Sequence, residues 1–205
     1  MLNLPKTTEI NRTIFKNKIY RKFKDQLKGQ KKEIFDREIS KLVITNQLSE
    51  ESINIPGKDG INYITFLKVE LKTRDFTEAN IAQISKLFGQ NLIFILNYED
   101  EYKLGVYRGR LFTTEWKKLE DLELKIQGLN LKSVWDNLLV QIGNIEVEKD
   151  NTIEEQIEID EKKEKLIKLI DSTRKKMGRE TQSKKKRELF KEIKNYEKEL
   201  ENYNG

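Results

Sequence analysis

The sequence has 205 residues, of which 37% are charged and 36% apolar, and its formal net charge is +5. A chain of this length can form one domain of ordinary size with an appendage, and the low apolar fraction predicts a core concentrated in part of the chain. The sequence contains no cysteine and no histidine. Disulfides, thiolate or imidazole metal sites and histidine-based catalysis are therefore excluded. Any catalysis would depend on carboxylates, lysine, tyrosine, hydroxyls and a hard divalent metal.

The distribution of apolar and charged residues bears on location and partners. No apolar run reaches membrane-spanning length, and the first residues lack the plan of a signal peptide. Together with the absence of cysteine, this predicts a cytoplasmic protein with no membrane contact. Residues 1–42 contain 12 Lys/Arg against 5 Asp/Glu. Such a basic segment attracts phosphate backbones, but a lysine-rich surface is also an ordinary solvated surface, and both interpretations stay open.

The first third of the chain predicts two helices, a short strand and a turn region. Apolar residues at helical spacing indicate a first helix that ends at Gly29 and a second over residues 31–42. The run LVIT, residues 42–45, is typical of a short buried strand. Residues 49–62 contain a Pro-Gly pair and predict a turn region, with a short strand over residues 53–55 as an option.

A βαβ unit is the clearest feature of the middle of the chain. Residues 63–73 alternate as a strand, and residues 91–98 form an unbroken apolar run that predicts a strand covered on both faces. Between them, Asp75 and Glu78 form a capping-box pattern before an apolar stripe that ends at Gly89. Because such crossovers join neighbouring strands of one sheet, we expect the two strands to be parallel.

Two more strands, an edge strand and a helix complete the predicted globular domain, residues 1–145. The strands cover residues 102–109 and 110–116, the edge strand covers residues 120–128, and Asn130 caps the last helix. Together with the βαβ unit, these elements predict an α+β fold with a mixed sheet.

Residues 146–205 predict a charged helical hairpin or coiled coil. Apolar residues that step by four and three form a heptad seam in each of two arms: Ile159, Leu166, Ile170 and Met177, then Leu189, Ile193, Tyr196, Leu200 and Tyr203. We expect an antiparallel hairpin that turns around residues 178–183. The alternative is one long, interrupted helix that dimerises.

Six stretches of the chain resemble an uncharacterised prokaryotic family, domain of unknown function 4391. They are residues 4–20, 37–55, 64–72, 92–100, 113–142 and 179–200. The sequence departs from the family pattern at Val43, Ser85 and Gly89, where relatives carry a large aromatic residue, Asp and Pro. The resemblance implies no assigned chemistry. It implies a bacterial gene found beside helicases and DNA methyltransferases in antiviral defence or restriction-like clusters.

Glu70 and Lys72 are candidate catalytic residues, because they share one face of the predicted strand as in the Glu-x-Lys signature of metal-dependent nucleases. Glu70 would be a metal ligand for Mg²⁺, which would activate a water molecule. A second carboxylate would have to come from Glu51 or Asp59, since the preceding segment carries the neutral Asn54 at its centre. A lone carboxylate binds Mg²⁺ poorly, and alternating Lys and Glu also describe an ordinary solvated strand face.

A cluster of eight cations near the predicted turn of the tail is a candidate nucleic-acid-binding site. It consists of Arg174, Lys175, Lys176, Arg179, Lys184, Lys185, Lys186 and Arg187, with Glu180 as its only acid. The other interpretation is that these charges only keep the end of the hairpin solvated.

The leading functional hypothesis is a non-catalytic accessory protein of a bacterial defence or DNA-processing system, with no cofactor. It would bind a protein partner, or a second copy through its C-terminal helices, and contact DNA or RNA. The alternatives are a Mg²⁺-dependent DNA nuclease of the Asp/Glu-x-Lys type and a purely structural dimer.

Overall fold

The computed structural model describes residues 2–89, 91–143, 145 and 151–203. The chain divides into two compact units, Met1–Glu146 and Val147–Gly205. The boundary predicted from the sequence, between residues 145 and 146, lies one residue from this division. Within the described ranges, no helix is both long and apolar enough to cross a membrane.

A seven-stranded mixed sheet forms the centre of the first unit. The strands are β1 (Glu9–Ile14), β2 (Ile39–Ser49), β3 (Tyr63–Leu71), β4 (Leu92–Tyr98), β5 (Glu101–Arg108), β6 (Arg110–Thr113) and β7 (Lys117–Lys118). Strands β1 to β6 lie side by side in chain order, and β7 pairs with β5. Strands β3 and β4 are parallel, whereas the other pairs are antiparallel. The predicted α+β class, the mixed sheet and the βαβ unit are confirmed.

Helices cover both faces of this sheet. They are α1 (Lys16–Lys22), α2 (Gln30–Glu38), α3 (Glu50–Ile53), α4 (Glu78–Phe88) and α5 (Leu131–Gly143), with short 3₁₀ helices at Lys6–Thr8 and Leu119–Asp121. Apolar residues of α1, α2 and α4 share one buried cluster with alternate residues of β3, such as Leu67 and Val69. The intervening residue Phe66 is also buried, and α5 packs against β3, β5 and β6. Glu70 has the same parity as Phe66 and therefore points to the α5 side.

Several predicted element boundaries are wrong. Helix α2 ends at Glu38 and β2 begins at once, so the second predicted helix is four residues too long. Gly29 precedes α2 with a positive φ of 54° instead of ending the first helix, which stops at Lys22. Residues 50–53 form the short helix α3, so a strand over residues 53–55 does not form.

The predicted edge strand over residues 120–128 is also wrong. This segment runs beside α5, where the Gln141 side chain accepts the Lys125 N–H at 2.9 Å and donates to the Lys125 carbonyl at 2.9 Å. The Asn137 side chain donates to the Gln127 carbonyl at 2.8 Å. Amide side chains of α5 thus satisfy backbone groups that a neighbouring strand would otherwise pair.

The second unit is an antiparallel hairpin of α6 (Ile153–Arg179) and α7 (Ser183–Glu201), which pack against each other. Leu166, Ile170 and Ile193 are buried, as the heptad seam requires. The Arg174 guanidinium pairs with the Glu197 carboxylate at 2.7 Å across the two helices. The hairpin expected from the sequence is confirmed.

Candidate nucleic-acid interface

Glu70 lies on the central strand β3 and forms an ion pair with a lysine of the same strand. The β3 register places it between Lys41 of β2 and Asn97 of β4. Its carboxylate pairs with the Lys68 ammonium at 3.3 Å, and that ammonium lies 5.7 Å from the centre of the Tyr102 ring. The carboxylate therefore already has a cationic partner on its own strand.

Lys72, the other candidate catalytic residue, interacts elsewhere. It follows the last residue of β3, and its ammonium donates to the Asp36 carbonyl of α2 at 2.8 Å. Glu70 and Lys72 make no hydrogen bond or ion pair to each other among the contacts of the described residues.

The structure does not bring a second carboxylate from Glu51 or Asp59 to Glu70. Glu51 belongs to α3, which follows the end of β2 where Ser49 pairs with Tyr63. Asp59 lies in the turn that leads into Tyr63. Glu70 is seven residues beyond Tyr63 along β3, roughly 23 Å from Tyr63 at the usual rise of a strand. No group of three or more Asp or Glu residues in the described part of the chain could hold a metal ion.

The hairpin tip does bring the eight predicted cations together. All of them are exposed, and they occupy the last two turns of α6 and the first turns of α7. Among the described side chains of the hairpin, Arg174 is the member of this cluster that pairs across the two helices, with Glu197. A groove of about 530 Å³ at this end includes Lys176, Arg179 and Lys185 in its walls, together with Glu188 and Glu192. These two acids lie further along α7 and were not part of the predicted cluster.

The charges at the tip interact differently with the two helix ends. Lys176 and Arg179 lie in the last turn of α6, where the helix dipole favours cations. The first turn of α7 contains no acid, and its N-cap residue Gln182 provides no side-chain cap. The dipole at this end disfavours Lys184 to Arg187 and favours an anion. The beginning of α7 is therefore an electrostatically unfavourable arrangement that a bound phosphate would relieve.

Glu180 is the acid nearest to this start of α7. Its carboxylate accepts the backbone N–H groups of Thr181 and Gln182, each at 2.8 Å. The hydrogen bond from Gln182 is the main cause that holds the pKa of Glu180 below its ordinary value, and the charge of Lys185 acts in the same direction. Glu180 stays ionised at neutral pH and offsets one of the eight positive charges.

Fold and surface together define a two-unit α+β protein in which a sheet domain precedes a helical hairpin with a cationic tip. The chain belongs to the family described as domain of unknown function (DUF4391), whose model matches residues 2–200. The match runs from before β1 into the last turn of α7, so the hairpin is part of the family domain. No curated protein and no solved structure matches the chain.

Proposed function

We propose that this protein is a non-catalytic accessory protein of a bacterial defence or DNA-processing system, and that it binds nucleic acid through the tip of its helical hairpin. The observation that carries the proposal is the exposure of eight cations at one end of the hairpin, with Glu180 as the one acid among residues 174–187. The proposed compartment is the bacterial cytoplasm, where nucleic acid is accessible.

Counterion release supplies the driving force. Each Lys or Arg that neutralises a phosphate releases condensed counterions, so a cluster of cations gives salt-dependent binding without base recognition. The cations lie around the helix ends rather than along one helix face. This arrangement suits a compact contact with a few neighbouring phosphates, and it offers no base-reading groups beyond lysine and arginine.

A protein partner is the second part of the proposal. Ile167 and Phe190 are about half exposed, and each precedes one member of the Arg174–Glu197 ion pair by seven residues. Seven residues are nearly two helical turns. Both apolar side chains therefore lie on the same side of the hairpin as the Arg174–Glu197 ion pair. Sedimentation of the full chain with Ile167→Lys and Phe190→Lys variants would show whether a second copy docks on this side.

Fluorescence anisotropy of labelled DNA and RNA duplexes at several salt concentrations tests nucleic-acid binding. Replacing Lys184, Lys185 and Lys186 with Gln should weaken binding about tenfold or more and reduce the salt slope by roughly 1 per lost phosphate contact. The matched control replaces Lys162, Lys163 and Lys165 of α6, with the same change in net charge away from the tip. Equal losses in the two triple variants, or no binding at low salt, would contradict the proposal.

Plasmid nicking in the presence of Mg²⁺ separates this proposal from the nuclease alternative. We expect no nicking by the full chain, because Glu70 pairs with Lys68 and both predicted companion carboxylates lie at the other end of β3. Mg²⁺-dependent nicking that disappears in Glu70→Gln would instead identify a nuclease. A contaminating enzyme would nick equally in preparations of both proteins.

A further inference from the structure

A cleft of about 520 Å³ lies beyond the carboxyl ends of the parallel strands β3 and β4. Its walls include Arg37 at the end of α2, Lys72 and Arg74 after β3, and Tyr98 at the end of β4. In open α/β sheets, ligands bind outside the carboxyl ends of parallel strands, and β3 and β4 are the parallel pair of this mixed sheet. The volume is in the range of small-molecule sites.

Arg37 and Lys72 lie next to each other at the mouth of this cleft. The Lys72 backbone N–H donates to the Glu38 carbonyl at 2.8 Å, and the Lys72 ammonium donates to the Asp36 carbonyl at 2.8 Å. The two hydrogen bonds of Lys72 therefore go to the residues on either side of Arg37. The charge of Lys72 is bound to a neutral carbonyl, and the exposed Arg37 guanidinium has no hydrogen-bond or ion-pair partner among the described residues. Neither cation is neutralised by a carboxylate.

Two acids border the cleft, and the more buried one is directed into the protein. Glu38 is 6% exposed, and its carboxylate accepts hydrogen bonds from the Thr77 N–H, the Thr77 hydroxyl and the Asn80 side chain at 2.6–2.8 Å. The negative charge of Glu38 is therefore stabilised by hydrogen bonds at the start of α4. Asp75 is exposed at the rim.

Two further polar groups of the wall, Arg74 and Tyr98, each interact with a carboxylate. The Arg74 guanidinium forms an ion pair with the Glu101 carboxylate at 3.1 Å. The negative charge of Glu99 is the main cause that raises the pKa of Tyr98, and the hydrogen bond between the Tyr98 hydroxyl and the Glu99 carboxylate acts in the same direction. The groups that remain for a ligand are the two cations Arg37 and Lys72, which no carboxylate of the described residues pairs with.

We propose that this cleft binds a phosphate monoester, with the Arg37 guanidinium forked on two phosphate oxygens and the Lys72 ammonium on the third. A dianion matches two cations, and the guanidinium fork matches a pair of phosphate oxygens. The volume leaves room for the group that carries the phosphate. A free nucleotide and the 5′-phosphorylated end of a nucleic acid both offer this chemistry. The cleft belongs to the first unit, and this proposal does not depend on nucleic-acid binding at the hairpin tip.

Isothermal titration of the full chain with AMP and with adenosine tests the site. AMP should bind and adenosine should bind at least about tenfold more weakly, because only AMP carries the dianion. Arg37→Gln should reduce AMP affinity about tenfold, and Arg37→Lys should lie between, since it keeps the charge and loses the fork. The matched control is Lys31→Gln, an exposed cation of the same helix outside the cleft, which should change affinity less than about twofold.

A pair of oligonucleotides with and without a 5′-phosphate distinguishes the two sources, because contacts at the hairpin tip are the same for both. A preference for the phosphorylated oligonucleotide that is lost in Arg37→Gln assigns a nucleic-acid end. Tighter binding of AMP than of either oligonucleotide in the Lys184–Lys186 triple variant assigns a nucleotide. Equal affinity for AMP and adenosine, equal losses in Arg37→Gln and Lys31→Gln, or no AMP binding at about 10 mM would overturn the proposal.

Discussion

At the scale of single residues, Glu38 joins two parts of the chain that are far apart in sequence. It is the last residue of α2, and its carboxylate holds the beginning of α4 through Thr77 and Asn80. The N-terminal N–H groups of a helix have no partner within the helix, and an anion there also interacts favourably with the helix dipole. A buried carboxylate is stable here because donors meet both of its oxygens.

Glu38→Ala should therefore destabilise the protein by about 3 kcal/mol, since it leaves the buried Asn80 amide and the part-buried Thr77 N–H without an acceptor. Urea denaturation of the first unit, followed by tryptophan fluorescence, measures the change. Asp75→Ala, at the exposed rim of the same cleft, should change the stability by less than about 0.5 kcal/mol. A similar small effect of Glu38→Ala would show that water replaces the carboxylate.

Tyr20 and Asp36 form a second polar contact, between α1 and α2. The Tyr20 hydroxyl donates to Asp36, and the Lys16 ammonium pairs with the same carboxylate at 3.1 Å. Burial, and then the hydrogen bond to Asp36, raise the pKa of Tyr20. Burial alone would raise the pKa of Asp36, but the hydrogen bonds from Tyr20 and Lys16 outweigh it, and that pKa lies below its ordinary 3.8.

The pH dependence of stability follows from these directions. The Tyr20 contribution is complete below the unfolded pKa of about 10 and is lost as the pH rises above it. The Asp36 contribution is complete above 3.8 and is lost as the pH falls below that value. Tyr20→Phe should cost about 1 kcal/mol at pH 7 and should flatten the loss of stability above pH 10. Tyr63→Phe, a half-exposed tyrosine, is the control, and identical profiles for the two variants would contradict the assignment.

At the scale of elements, helices and strands with local signals could be predicted and those with distant partners could not. The sequence correctly predicts the Asn130 cap, because its side chain accepts the Ser133 N–H only three residues away. The capping box predicted at Asp75 and Glu78 is wrong, because Thr77 is the N-cap residue of α4 and Glu38, about forty residues upstream, accepts the Thr77 N–H. Strand β1 was not predicted, since five of its six residues are exposed and no alternation shows in the sequence.

The same distinction applies to the candidate sites. The cationic tip could be predicted, because its residues are consecutive or nearly so and a short turn keeps them together. The cleft could not, since Arg37 and Lys72 are 35 positions apart and meet only through the pairing of β2 with β3. Strand register, which periodicity does not determine, also separates Glu70 from Glu51.

The hairpin seam makes a prediction at this scale. Ile193 is 3% exposed, whereas Phe190 on the same helix is 50% exposed. Ile193→Ala should cost about 3 kcal/mol, because it removes buried methyl groups and leaves a cavity, and Phe190→Ala should cost less than about 1 kcal/mol. Thermal loss of the helical circular dichroism signal measures both variants. A larger effect of Phe190→Ala would show that the exposed side of the hairpin is covered in solution.

At the scale of the whole molecule, the first unit has a core of its own. A buried hydrophobic cluster of this unit contains residues between Ile14 and Leu96, with partly buried neighbours up to Trp116. A unit that encloses its own core folds without the rest of the chain.

Residues 1–146 should therefore unfold cooperatively with a stability within about 1 kcal/mol of the same unit in the full chain. This fragment should lose duplex binding, because the hairpin tip is gone, and should keep AMP binding, because the cleft remains. Denaturation and titration of the fragment beside the full chain measure both. Duplex binding that survives in the fragment would place the nucleic-acid contact on the basic N-terminal segment instead.

Strand order has a consequence for how the protein is made. Strands β1 to β6 occupy the sheet in the order in which they are translated, so each new strand meets its neighbour as it leaves the ribosome. No strand of this series has to wait for a partner encoded much later, and the longest interval, between β1 and β2, contains two helices that form locally, α1 and α2. We expect the sheet to grow from one side during synthesis, with the hairpin emerging last onto a nascent domain that has already folded.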